Sequence, residues 1–199
     1  KSDRSQTLSG NIVRAITTDR SGNLWLGIDQ GGINVLDRTS GAFRYLRHEP
    51  GNPNSLIYDN VRHLMWEGES RLWIGTQQGL DLYDSRYNTF RHFTASPDRP
   101  GTLVSNDIRY LAHDMFGRLW IGTYGGISVR DPENGIMAHF THKPGDSTSL
   151  SDNRIYAIYE DGEKVMWVGT RNGLNRFRRT EGTFTRYHSV SSELSALSN

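Results

Sequence analysis

One short word, written four times, limits what this 199-residue chain can become. It stands as Asn23-Leu24-Trp25-Leu26-Gly27, as Arg71-Leu72-Trp73-Ile74-Gly75-Thr76, as Arg118-Leu119-Trp120-Ile121-Gly122-Thr123 and as Val165-Met166-Trp167-Val168-Gly169-Thr170. The tryptophans are spaced by 48, 47 and 47 residues. A fixed period of this length marks a repeat architecture, in which each unit buries its apolar face against the next.

Leu8, Leu56, Leu103 and Leu150 open the units, which gives expected blades at 8–55, 56–102, 103–149 and 150–196 of one propeller fragment, 1–199. Leu197-Ser198-Asn199 reads like Leu150-Ser151-Asp152, so 197–199 is read as the start of a fifth repeat and the chain as a piece of a longer array.

Each unit predicts four strands. The first carries Val13, Val61, Ile108 and Ile155 in one register, followed by Ile16, Leu64, Leu111 and Ile158. An acidic, Gly-containing turn follows, such as Asp114-Met115-Phe116-Gly117, because Asp and Gly accept hairpin backbone geometry. The Trp word is the second strand. It is apolar on both faces, which predicts burial on both sides, with its four tryptophans in the core. The Gly inside it (27, 75, 122 and 169) is expected to let a neighbouring sheet approach. Two further strands and a long polar connection complete the unit. The expected fold class is therefore all-β: a β-propeller of four-stranded antiparallel blades, four repeats present, part of a larger ring of about seven blades.

Composition excludes several function classes. With 23 basic and 22 acidic residues the net charge is +1, and no charged block suggests nucleic acid or a membrane surface. There is no cysteine, hence no disulfide or thiolate metal site. No apolar run approaches the roughly eighteen residues of a membrane span, and the opening Lys1-Ser2-Asp3-Arg4 is unlike a secretory signal. His-Glu metal spacing, a nucleophile elbow and a phosphate-cradling loop are all missing. No catalytic residue, metal or cofactor is called for.

The full pattern Asp-x-x-Gly-x-Leu-Trp-Ile-Gly-Thr-x-x-Gly, clearest from Asp114 to Gly126, closely resembles the two-component regulator propeller repeat. The resemblance covers essentially all four units. It implies a non-catalytic periplasmic or extracytoplasmic sensor region of a membrane-anchored signalling receptor. It also implies an oligosaccharide or other small ligand bound on one propeller face. Two alternatives are a protein-interaction scaffold and, behind it, a glycan-active lyase or hydrolase. The latter needs paired carboxylates at the channel mouth, whereas the acidic residues Asp19, Glu67 and Asp114 fall at repeat-equivalent turns.

Two sets of candidate ligand-binding residues follow. Arg14, Arg62 and Arg109 share a first-strand register that Tyr156 fills in the fourth unit. In a propeller this strand lines the channel, and three guanidiniums facing one space attract a carboxylate or sulfate. The competing expectation is that each Arg pairs with an acid of the next blade. The second set lies in or near the variable turns on one face: Gln30, Gln78, Tyr58, Tyr124 and Arg171, where rings stack on sugars and amides bond hydroxyls. His92 and His139 share one fourth-strand register and are read as structural, and Trp66 stands outside the repeat pattern. Four units also predict self-association through exposed blade faces.

Overall fold

A computed structural model describes residues 7–189 except Pro97, Pro100 and Ile136. The expected start of a fifth repeat lies outside the described residues. Sixteen strands and no helix are present among them. The first sheet holds β1 (Val13–Thr18), β2 (Leu24–Ile28), β3 (Gly32–Leu36) and β4 (Phe43–Leu46). The second holds β5 (Val61–Glu67), β6 (Arg71–Thr76), β7 (Gly79–Asp84) and β8 (Thr89–Phe93). The third holds β9 (Ile108–His113), β10 (Leu119–Thr123), β11 (Ile127–Arg130) and β12 (Met137–Phe140). The fourth holds β13 (Ile155–Glu160), β14 (Met166–Thr170), β15 (Gly173–Arg178) and β16 (Thr183–Tyr187). In every sheet the strands lie side by side in chain order, all antiparallel. This is the all-β architecture of four-stranded blades that the repeats predict.

The cores lie between the blades. One gathers Trp25, Ile33 and Val35 of the first blade against Val61, Leu64, Leu72 and Tyr83 of the second. The next joins Trp73 and Leu80 to Ile108, Leu111, Leu119 and Ile121. The last joins Trp120, Ile127 and Val129 to Ile155, Ile158, Met166 and Val168. The period-2 alternation of a strand explains this sharing. Trp25, Trp73 and Trp120 point forward into the following blade, and the aliphatic neighbours of the tryptophan on the second, third and fourth blades point back into the preceding one. Trp66 belongs to the first of these cores, with its ring edge-on to Trp25 at 5.2 Å.

The glycine of the word sets how closely blades approach. A Cβ on Gly27 would stand 2.7 Å from Val61 Cγ1, on Gly75 2.8 Å from Ile108 Cγ2, and on Gly122 2.7 Å from Ile155 Cγ2. At Gly169 the nearest atom is Cβ of Ala157 in its own sheet, at 3.6 Å. The blades therefore form an open arc. Val13 and Ile16 are exposed at one end (37% and 65%), where their counterparts Val61 and Leu64 are buried. At the other end Trp167 is only half-buried, unlike the other three tryptophans of the word, because no following blade among the described residues covers it.

The remaining letters of the word are hydrogen-bonding groups. The indole N–H of Trp25, Trp120 and Trp167 donates to the carboxylate of Asp19 (2.9 Å), Asp114 (3.0 Å) and Asp161 (2.7 Å), six residues earlier in each case. The same carboxylates accept backbone N–H groups across the hairpin turn, from Asn23, Arg118 and Val165. Burial raises the Asp114 pKa, but hydrogen bonds from Trp120, Arg118 and the backbone outweigh it and hold the carboxyl below its ordinary range. In the second blade Glu67 takes the Asp position and pairs with Arg71 at 3.1 Å. Trp73 Nε1 is left buried without a partner.

A second polar set was not legible in the sequence. Asn34, Asp81, Ser128 and Asn175, all fully buried on third strands, accept the backbone N–H of Ser9, Ile57, Val104 and Ser151. Each blade thereby ties down its own incoming connection. His92 bonds Asp81 at 2.6 Å and the Pro53 carbonyl at 2.8 Å, and His139 bonds Ser128 at 3.1 Å. Their shared register thus serves the blade frame.

Two outcomes test this frame by chemical denaturation. Gly122→Ala should cost about 2 kcal/mol through overpacking against Ile155, while Gly169→Ala should stay within about 0.5 kcal/mol. Glu67→Asp should gain about 1 kcal/mol by giving Trp73 its acceptor, and Asp114→Ala should lose at least about 2 kcal/mol.

Candidate functional site

The four first-strand candidates share a feature that their register alone did not reveal. Pairing of the first and second strands slips between Val13 and Ala15, between Val61 and His63, between Ile108 and Tyr110, and between Ile155 and Ala157. Arg14, Arg62, Arg109 and Tyr156 are thus the extra residue of a β-bulge in each blade. A bulge frees one side chain from the in-out alternation of its strand and re-aims it. The turn after each second strand lies beside it. The backbone N–H groups of Asp29, Gln77, Tyr124 and Arg171 donate to the carbonyls of Ile12, Asn60, Asp107 and Arg154, which immediately precede the first strands. Tyr124 and Arg171 of the second set therefore lie at the same mouth of the arc as the first-strand candidates.

The charges there are unevenly matched. Arg14 donates to Asp29 at 2.5 and 3.1 Å. That hydrogen bond, with Coulombic attraction from Arg14 and Arg62, holds the Asp29 carboxyl below its usual range. Arg109 donates to Asp107 at 2.9 Å and lies 3.7 Å over the ring of Tyr124. Tyr124 meets Tyr156 edge-on at 6.2 Å. Arg154 grips Asp152 with two bonds of 3.0 Å, and Arg171 exerts a Coulombic pull on the same carboxylate. Arg62 differs: its nearest carboxylate, Asp29, is 3.9 Å away and already bonded to Arg14. Only 13% of its side chain is exposed, and burial, then repulsion from Arg109 and Arg14, lowers its pKa. The expected pairing of each Arg with an acid of the next blade is absent. Two arginines bond an acid of their own blade, and the third lies within range of one from the preceding blade.

Of the second set, Tyr124 joins the cluster directly and Arg171 lies beside its fourth-blade end. Gln30 and Gln78 are exposed turn residues whose side chains make no hydrogen bond, and Gln30 sits at a φ of 57°. Gln77 is the amide that enters the mouth, accepting from Asn60 at 3.0 Å. Tyr58 is half-buried on the run into β5. Asp29, Asp107, Asp152 and Arg154 were missed by sequence reasoning. The available signal was position: each stands directly after a second strand or shortly before a first.

Buried polar atoms without partners concentrate here. Five of the eight among the described residues are Asn60 Oδ1, Arg62 Nε, His63 Nδ1, Asp107 Oδ1 and Arg109 Nε, all at the second and third blades. Such atoms in a native interior mark strain, a function, or the place of an ordered water or ion. His63 packs against Tyr110 with the rings tilted at 42° and 4.4 Å apart, and burial pushes its pKa down to about 4. Among the described residues no group of three or more His, Asp or Glu side chains is arranged to hold a metal ion.

The His63 environment gives a pH test. In the unfolded chain His63 titrates near 6.5, and in the fold near 4. Between those values the unfolded chain binds more protons, so stability falls as pH falls, by about 3 kcal/mol over the window. Urea unfolding from pH 7 to 4 should show this loss, and His63→Gln should flatten it.

A family model described as the two component regulator propeller matches residues 7–30, 102–125 and 149–172. The second unit, which is not matched, is the one where Glu67 replaces the Asp of the pattern. Comparison with curated proteins returns no match. Among solved structures, the chain is similar to the extracellular domains of two hybrid two component systems from B. thetaiotaomicron. One aligns at 23% identity with a TM-score of 0.72, over 95% of this chain and 23% of that one. The other aligns at 24% identity with a TM-score of 0.66, over 90% and 30%. A virginiamycin B lyase from Staphylococcus aureus aligns at 13% identity with a TM-score of 0.63, over 94% and 58%. At these identities the likeness establishes the fold, and the chain spans less than a third of either receptor domain.

Proposed function

From a chain built of two-component regulator propeller repeats, we propose an extracytoplasmic sensor segment of a membrane-anchored signalling receptor, binding a small molecule or oligosaccharide at the bulge-lined mouth. The observation that carries this reading is the β-bulge repeated in all four blades. It directs three guanidiniums and a tyrosine to one mouth and leaves buried polar atoms there without partners. The extracellular receptor domains among similar structures support both the location and the sensing role.

The lyase likeness is a weaker guide. Four histidines of the described blades are taken up in the frame: His48 and His142 bond the carbonyls of Leu56 and Leu150, His92 bonds Asp81, and His139 bonds Ser128. This supports a binding role for the mouth over a chemical one. By the same reading, the uncovered faces at Val13 and Trp167 are joined by further blades or by a second copy of the chain.

A thermal-shift screen of oligosaccharides and small metabolites tests the assignment. A ligand should raise Tm by mass action, and Tyr156→Ala should abolish the shift. Hits indifferent to Tyr156→Ala and to Arg62→Gln would place binding elsewhere and refute the mouth.

A further inference from the structure

The mouth carries an excess of positive charge that its own carboxylates leave unanswered. Asp29, Asp107 and Asp152 each lie within hydrogen-bond distance of one guanidinium: Arg14, Arg109 and Arg154 respectively. Arg62 has no such partner. It is the most buried of the three bulge arginines and stands on the blade between those of Arg14 and Arg109. Asp29, the one described carboxylate within 4 Å, is bonded to Arg14, and Asp107, which also attracts Arg62, is bonded to Arg109. A buried guanidinium with an unbonded Nε and two like charges nearby is costly unless another anion completes it. A planar fork of donors fits a carboxylate or a sulfate.

Beyond Arg109, the next guanidinium along the mouth, stands an aromatic surface. Arg109 covers one face of Tyr124, and Tyr124 holds Tyr156 edge-on. The ring of Tyr156 remains 51% exposed. An exposed tyrosine face next to a cationic pocket suits a ring that is apolar on one face and polar at its rim, as a pyranose is.

We propose that the ligand of this mouth is a sugar bearing a carboxylate or sulfate, with the anion seated on Arg62 and the ring face on Tyr156. This rests on the reading of the mouth as the ligand-binding face and narrows it to an anionic class.

The test is calorimetric titration of the 199-residue chain with D-glucuronate, D-glucose 6-sulfate and D-glucose, three probes that share one ring. At least one anionic sugar should bind at least about tenfold more tightly than glucose. Which of the two binds identifies the anion. Arg62→Gln should weaken that binding about tenfold or more, and Tyr156→Ala should weaken it as well. Near-UV circular dichroism checks that the variants fold. Added sodium chloride should weaken binding by the unsubstituted chain, a readout that needs no variant. Glucose binding equal to that of the anionic sugars and indifferent to Arg62→Gln would overturn the anionic assignment, leaving the mouth as a neutral-sugar site. Binding of none of the three would overturn it too. The broader sensor reading would fall only if the oligosaccharide and metabolite screen also returned nothing.

Discussion

The structure depends on one steric contact: a β-branched side chain of one blade seated over a glycine of the blade before it. Val61 on Gly27, Ile108 on Gly75 and Ile155 on Gly122 all leave less room than a methyl group needs. Close approach at this point brings the forward-facing Trp of one blade against the first strand of the next, and dispersion in a close-packed interior falls off within a fraction of an ångström. Each core is therefore a property of two blades. The same contact explains the two ends of the arc. Ile16 and Trp167 are as apolar as their counterparts, yet stay exposed or half-exposed because they lack the other half of the pair.

Around that contact the word is a wiring diagram. The Asp of each complete unit answers the indole N–H and the turn amides with one carboxylate, so burying the tryptophan leaves no donor unsatisfied. The Thr of the word closes the next turn, with Thr76 and Thr123 bonding the carbonyls of Gly79 and Gly126 at 2.8 Å. The third strand contributes a buried polar residue to hold the incoming connection. Blade two departs from this scheme at Glu67, and the cost is visible as the unpartnered Trp73 nitrogen.

The candidate site uses this frame without belonging to it. Bulges at the start of the first strands release one side chain per blade, and the repeat places these four at one mouth. What the repeat leaves free is chemical identity. Arginine occurs in three blades and tyrosine in the fourth, with Asp29, Gln77, Tyr124 and Arg171 varying in the adjacent turns. Constancy serves blade packing, and variation supplies the surface on which a ligand is distinguished.

The sequence by itself determined the repeat, its four strands per unit, the double burial of the Trp strand and the role of its glycine. Strand periodicity and backbone sterics are local, and they recur in register through Val61, Ile108 and Ile155. It also brought Arg14, Arg62, Arg109 and Tyr156 to attention as one register. The packing of the blades alone made this register a bulge, left Arg62 as the guanidinium without a bonded carboxylate, and bonded the Gln77 amide to Asn60 while leaving those of Gln30 and Gln78 exposed. It likewise decided that Trp167 is half-covered and that Asn34, Asp81, Ser128 and Asn175 are one buried set. The physical reason is the same in each case. Hydrogen-bond partners and burial depend on which blade lies opposite, and four different polar residue types can meet one geometric need, so neither leaves a period in the sequence.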